Sequence, residues 1–141
     1  MTIRVLIADD QEMVRAGFRA IIDAQSDMEV VADAADGVEA VAQARRHRPD
    51  VCLFDIRMPR LDGLEATRTL LAGGSGPRIV VVTTFDTDEY VYGALRSGAT
   101  GFLLKDSGPT LLVEAVRAAS DGESLVSPSV TVRLLQRLAE P

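Results

Sequence analysis

The chain has 141 residues, near the commonest domain size and long enough to bury a full core, so a second domain of ordinary size within it is excluded. It is 47% apolar and 26% charged, which excludes a disordered chain, and no apolar run approaches the roughly 18 residues of a membrane-spanning helix. With 21 acidic against 15 basic residues the net charge is −6, so this segment carries no basic footprint for a nucleic-acid backbone.

The first apolar run, residues 3–8, follows Met1 almost directly, without the charged start and long apolar stretch of a signal peptide. The expectation is a cytoplasmic chain with no membrane partner. Met13, Val14, Gly17, Phe18, Ile21 and Ile22 then fall at helical spacing, and residues 28–33 form a second run. Asp36-Gly37 opens a second helix striped by Val38, Val41, Ala42 and Ala44, with Pro49 as its stop. His47, beside Arg45, Arg46 and Arg48, reads as a solvated surface residue. Residues 51–54 make a third run around the single Cys52, which cannot form an internal disulfide and reads as a buried thiol.

Pro59 with Asp62-Gly63 predicts a loop before a third helix carrying Leu64, Thr67, Leu70 and Leu71 on one side. Gly73-Gly74-Ser75-Gly76 has the composition of a phosphate-cradling loop, but it precedes a strand and lacks the P-loop lysine, so it reads as a flexible connection. Residues 78–83 and 101–104 complete five strands, and Asp86 with Glu89 reads as a capping box for the helix between them. Gly108-Pro109 opens a fifth helix and Gly122 ends it. Beyond lies one more amphipathic helix, started by Ser127-Pro128, with Val130, Leu134, Leu135 and Leu138 at helical spacing and Arg133 and Arg137 on its other faces. It either packs on the domain or serves as a linker or dimerisation helix.

Most of the five runs are nearly continuous in Val, Ile and Leu, the pattern of parallel strands covered on both faces. Strand and helix alternate, which predicts an α/β, three-layer, doubly wound fold whose ligands bind at the carboxyl ends of the strands. At those ends stand Asp9 and Asp10, Asp55, Thr83 and Lys105. Three carboxylates from two strands suit a hard divalent cation such as Mg²⁺, which binds oxygen ligands and commonly sits beside a phosphate. A metal, a hydroxyl, an ammonium and a free carboxylate together make a phosphoryl site.

The order and spacing of Asp9-Asp10, Asp55 with Ile56-Arg57-Met58-Pro59 and Asp62-Gly63, Thr83 and Lys105 resemble the receiver domain of a bacterial two-component response regulator. Thr83-Thr84-Phe85-Asp86, the stretch from Gly98 to Asp106 and Gly122-Glu123-Ser124 resemble the NarL/FixJ (LuxR-type) subfamily. The resemblance implies a flavodoxin-like (βα)5 fold with sheet order 2-1-3-4-5. It divides the chain into a phosphoacceptor unit over residues 1–122 and a linker helix over residues 123–141. That helix would lead to a helix-turn-helix output domain, absent here, through which alone DNA would be bound.

It also implies the roles. Asp55 is the phosphoacceptor; Asp9, Asp10, Asp55 and the backbone carbonyl of Arg57 hold Mg²⁺ or Mn²⁺. Lys105 and Thr83 contact the phosphoryl group, Thr83 and Phe102 form the switch, and the Arg57 and Thr84 side chains tune the site. The donor is a phosphohistidine on a sensor histidine kinase, and the output is a phosphorylation-dependent homodimer. The chain would be a signalling domain that catalyses its own phosphotransfer and slow autodephosphorylation, not an enzyme with an external substrate. Asp106 follows Lys105 where many receivers have proline.

Other readings compete. A haloacid-dehalogenase-type phosphatase needs an acid two residues after its nucleophile, where this chain has Arg57, and places its acidic pair late in the chain. A flavodoxin-like cofactor carrier needs a first loop that cradles phosphate, where this chain presents Asp9 and Asp10. A receiver fold used only as a constitutive interaction module stays open.

Overall fold

The computed structural model describes residues 1–84 and 87–141. Among them, six strands form one parallel sheet in the order β2-β1-β3-β4-β5-β6. The strands are β1 (Ile3–Ala8), β2 (Met28–Ala34), β3 (Val51–Phe54), β4 (Arg78–Thr83), β5 (Gly101–Leu104) and β6 (Leu125–Val126). The helices are α1 (Glu12–Asp23), α2 (Gly37–His47), α3 (Gly63–Leu71), α4 (Asp88–Arg96), α5 (Pro109–Ser120) and α6 (Pro128–Leu138). The predicted order of the first five strands holds. The sixth strand escapes sequence reading because two residues are too short to show a period, and only pairing with Gly101 and Phe102 makes them a strand.

Alternation along each strand divides the core in two. Leu6, Cys52, Phe54, Ile79, Val81 and Phe102 face α2, α3, α4 and α6, whereas Val5, Ile7, Val51, Leu53, Val80 and Leu103 face α1 and α5. Both faces of the sheet are therefore apolar, which accounts for the unbroken runs. None of the helices is long and apolar enough to cross a membrane among the described residues.

Several predicted details shift. Met13 is 88% exposed and Gly17 is also exposed, so the packed stripe of α1 is carried by Phe18, Ile21 and Ile22. On α2, Val38 and Ala42 face water while Ala40, Val41 and Ala44 are buried, a rotation of the stripe that small residues disguise in the sequence. His47 is half-buried. The helix ends before Pro49, where Arg48 turns left-handed at φ 48° and its N–H donates to Ala44 O. For α4, Asp86 lies outside the described residues, and the N-cap position falls on Thr87 without a side-chain bond. Gly122, at φ 79°, closes α5 with its N–H on Ala119 O, a left-handed ending suited to glycine.

The strand ends are held in register one residue beyond the ladder. Asp9 N donates to Ala34 O, Asp55 N to Ala8 O and Lys105 N to Thr83 O, each at 3.0 Å. Since β1 lies between β2 and β3, the winding reverses there, and Asp9 and Asp55 leave the sheet side by side at that reversal.

Candidate phosphoryl and metal site

The loop below Asp55 sets the floor of the site. Asp62 caps α3 by accepting Glu65 N–H at 2.8 Å, and Gly63 N–H donates to Ile56 O at 2.8 Å. A Cβ on Gly63 would lie 1.9 Å from Asp55 O, so only glycine lets the start of α3 approach the end of β3 this closely.

Asp9 and Asp55 are buried and Asp10 is exposed, and one carboxylate oxygen of each lies within 4.8 Å of the others. Asp9 Oδ1 accepts Gln11 N–H at 2.9 Å, and Asp55 Oδ1 accepts Ile56 N–H at 2.8 Å. Their second oxygens share one cation: Lys105 Nζ lies 2.7 Å from Asp9 Oδ2 and 3.0 Å from Asp55 Oδ2. The lysine also donates to Gln11 Oε1 at 3.3 Å. The ammonium thus donates to Asp55 and Gln11 and pairs in charge with Asp9.

Burial raises the Asp9 pKa and the charge of Asp55 adds to it, against the opposing pull of Lys105 and Gln11 N–H. Burial works against the charged form of Lys105, but the two aspartates outweigh it and its pKa is raised. Three clustered carboxylates facing one ammonium leave the site net negative. Hard oxygen donors of that charge fit a divalent cation of the Mg²⁺ class.

Arg57, Thr84 and Tyr90 line the open cleft above Asp55, together with Asp10, Gln11 and Lys105. Thr83 is fully buried at the end of β4, opposite Leu104, and Phe102 is fully buried in the core two residues before Leu104. A larger concavity than this cleft, about 1080 Å³, opens at the other end of the strands between Ile3, Pro49, Arg78 and Ser120, away from all of these residues. Burial pushes the Cys52 thiol pKa up, in keeping with an inert core residue.

The structure therefore brings Asp9, Asp10, Asp55 and Lys105 together and sets Arg57 and Thr84 on the rim. Sequence reasoning missed Gln11, whose position directly after the acidic pair was the only available signal. It also missed Arg15, whose guanidinium donates to Asp9 O at 2.7 Å and lies 3.7 Å from Asp33 on β2, a link with no local signature.

Comparison with known proteins agrees with this geometry. Residues 5–117 match the response regulator receiver domain family. The chain is 45% identical over 133 residues to the transcriptional regulatory protein YxjL of Bacillus subtilis (strain 168), covering 94% of this chain and 61% of that protein. It is 44% identical over 136 residues to the transcriptional regulatory protein LiaR of the same organism, covering 96% and 64%. The chain thus spans less than two thirds of the length of these two relatives. The crystal structure of a LuxR-family two-component response regulator from Aurantimonas sp. SI85-9A1 superposes with a TM-score of 0.93 at 32% identity, over 99% of this chain and 100% of that one. The chain belongs to the response regulator receiver domain family, among relatives that are LuxR/NarL-type regulators.

Proposed function

We propose that this chain is the phosphorylation-controlled receiver of a transcriptional regulator, and that Asp55 accepts the phosphoryl group. The observation that carries the reading is the bridging of Asp9 and Asp55 by Lys105 at the mouth of the sheet, beside the exposed carboxylate of Asp10. An Asp55 oxygen attacks phosphorus, the bond from phosphorus to the imidazole nitrogen of a kinase phosphohistidine breaks, and the electron pair leaves with that nitrogen. The product is an acyl phosphate on Asp55.

Asp9, Asp10 and Asp55, with the backbone carbonyl of Arg57, would hold Mg²⁺ or Mn²⁺. The cation would supply positive charge against the phosphoryl oxygens and the carboxylates. Lys105 contributes a second positive charge and directed donors, and the Thr83 hydroxyl contributes another hydrogen bond. Arg57 and Thr84, which line the cleft, would tune access of water. The phosphoryl group brings close to two negative charges and three acceptor oxygens. Drawing Thr83 toward it would free space for Phe102, and this shift would favour a homodimer.

In this reading residues 1–122 form the phosphoacceptor unit and residues 123–141 lead toward an output domain that binds DNA. The histidine kinase partner and a cytoplasmic location follow from the same reading. The test is the intact mass of the chain and of Asp55→Asn after incubation with Mg²⁺ and acetyl phosphate, with light scattering in parallel. One phosphoryl adduct on the parent and none on the variant supports the assignment. No adduct on the parent overturns it and leaves a constitutive interaction module.

A further inference from the structure

The last helix meets the site at Ser127. This residue stands at the N-cap of α6, yet its hydroxyl makes no cap bond there. Instead Ser127 Oγ accepts Leu104 N–H at 3.1 Å and lies 3.3 Å from Ser107 Oγ. Its own N–H donates to Phe102 O at 2.9 Å. A serine at this position ordinarily stabilises its own helix. Here the buried hydroxyl is spent on the end of β5, on the residue immediately before Lys105.

The second seat of α6 is α4. Val130 is fully buried in the cluster that holds Phe102 and Val91. Arg133 Nε and Arg137 Nη1 lie 3.5 and 3.1 Å from the two oxygens of Asp88, in the first turn of α4. The Arg137 guanidinium also stands 5.6 Å from the centroid of the Tyr92 ring. One helix is thus fastened both to the strand that delivers Lys105 and to the helix that follows the Thr83-Thr84 loop.

Lys105 Nζ donates hydrogen bonds to Asp55 and Gln11 and forms an ion pair with Asp9. A phosphoryl oxygen on Asp55 would compete with these groups for the ammonium. We infer that α6 is a strap that, through Ser127, holds β5 and Lys105 in the arrangement described, so that undocking of α6 and phosphorylation of Asp55 favour each other. Ser127 is a positioning residue in this scheme. The inference rests on the phosphoacceptor reading above. Coupling of this kind is reciprocal, so loosening the strap must strengthen binding at the site by the factor with which site binding loosens the strap.

The experiment uses beryllofluoride with Mg²⁺ as the phosphoryl stand-in, titrated by calorimetry into the parent, Arg133→Gln with Arg137→Gln, Ser127→Ala, and the triple variant. Hydrogen exchange of α6 and of the Leu104 amide is followed in each. The arginine pair variant is expected to bind beryllofluoride about fivefold or more tightly than the parent, and beryllofluoride is expected to speed exchange across α6 in the parent. With Ser127→Ala in place, removing the arginines should change the affinity less than about twofold, since the hydroxyl link to Leu104, next to Lys105, is already cut. Both arginines are partly exposed, so the pair variant keeps its fold even where Ser127→Ala does not. Equal affinity of parent and pair variant, with α6 exchange unmoved by beryllofluoride, overturns the strap alone. A parent that binds no beryllofluoride and accepts no phosphoryl group overturns the phosphoacceptor reading as well.

Discussion

Lys105 Nζ reaches Asp55 Oδ2 at 3.0 Å although the two residues leave strands separated by β4. The same atom reaches Asp9, just past the end of β1, so one side chain ties three strand ends together. Lys105→Met keeps most of the apolar stem of the side chain and removes its ammonium. We expect phosphorylation by acetyl phosphate to slow roughly 10²-fold, the scale for losing one preorganised donor, as read from the rate of adduct formation by mass. An unchanged rate would remove Lys105 from the mechanism.

Asp9 supplies a prediction about stability. Its pKa is raised in the folded chain, first by burial, so its favourable contribution is complete below the unfolded value of 3.8 and is lost as pH rises through the folded value. At pH 7 the ionised carboxylate therefore weakens the fold. Asp9→Asn should be more stable than the parent at pH 7 without divalent cations, and the gain should fade as pH approaches 4. Urea unfolding at the two pH values checks this, and a less stable variant at pH 7 contradicts it.

Divalent cations should reverse that order. At tenfold its dissociation constant, Mg²⁺ should stabilise the parent by about 1.4 kcal/mol and stabilise Asp9→Asn or Asp10→Asn much less. Acidification should abolish the effect, because protons compete for the carboxylates. Thermal melts with Mg²⁺ and with EDTA measure both changes. Equal stabilisation of parent and variants would dissociate the acidic cluster from metal binding.

Gly63 should tolerate no side chain. The added Cβ of Gly63→Ala would collide with Asp55 O, and the start of α3 must move away from β3. A loss of about 1–3 kcal/mol or more is expected in urea, together with slower phosphorylation, since the displaced carbonyl belongs to the acceptor itself. Parent-like values on both counts would show that the close approach carries no load.

Thr83→Ala separates acceptance from response. The variant should still form the Asp55 adduct, within about tenfold of the parental rate, but the monomer–dimer shift should be lost. Light scattering on fully phosphorylated protein decides this. A variant that dimerises like the parent would make Thr83 a core residue only.

The amphipathic stripes show where sequence reading stops. Apolar spacing located α1 and α2 correctly, yet Met13 and Val38 point to water. A helix of alternating small and large apolar residues offers more than one plausible stripe, and only the sheet beneath selects among them. The capping pattern of α6 was equally visible, but nothing local indicated that the Ser127 hydroxyl would bond a strand 23 residues earlier.

Continuous Val, Ile and Leu runs ending in Asp9-Asp10, Asp55, Thr83 and Lys105 were enough to determine a parallel doubly wound sheet and which polar residues stand at its mouth. Both follow from local properties: period, turn residues and the donor types at strand ends. The tertiary structure alone decided which groups share a charge, that Gln11 accepts from Lys105, that Gly63 makes room beneath Asp55, and that α6 seats on α4 and β5. Those relations depend on strand register and on distances between residues far apart in the chain, and spacing along a sequence carries no information about either.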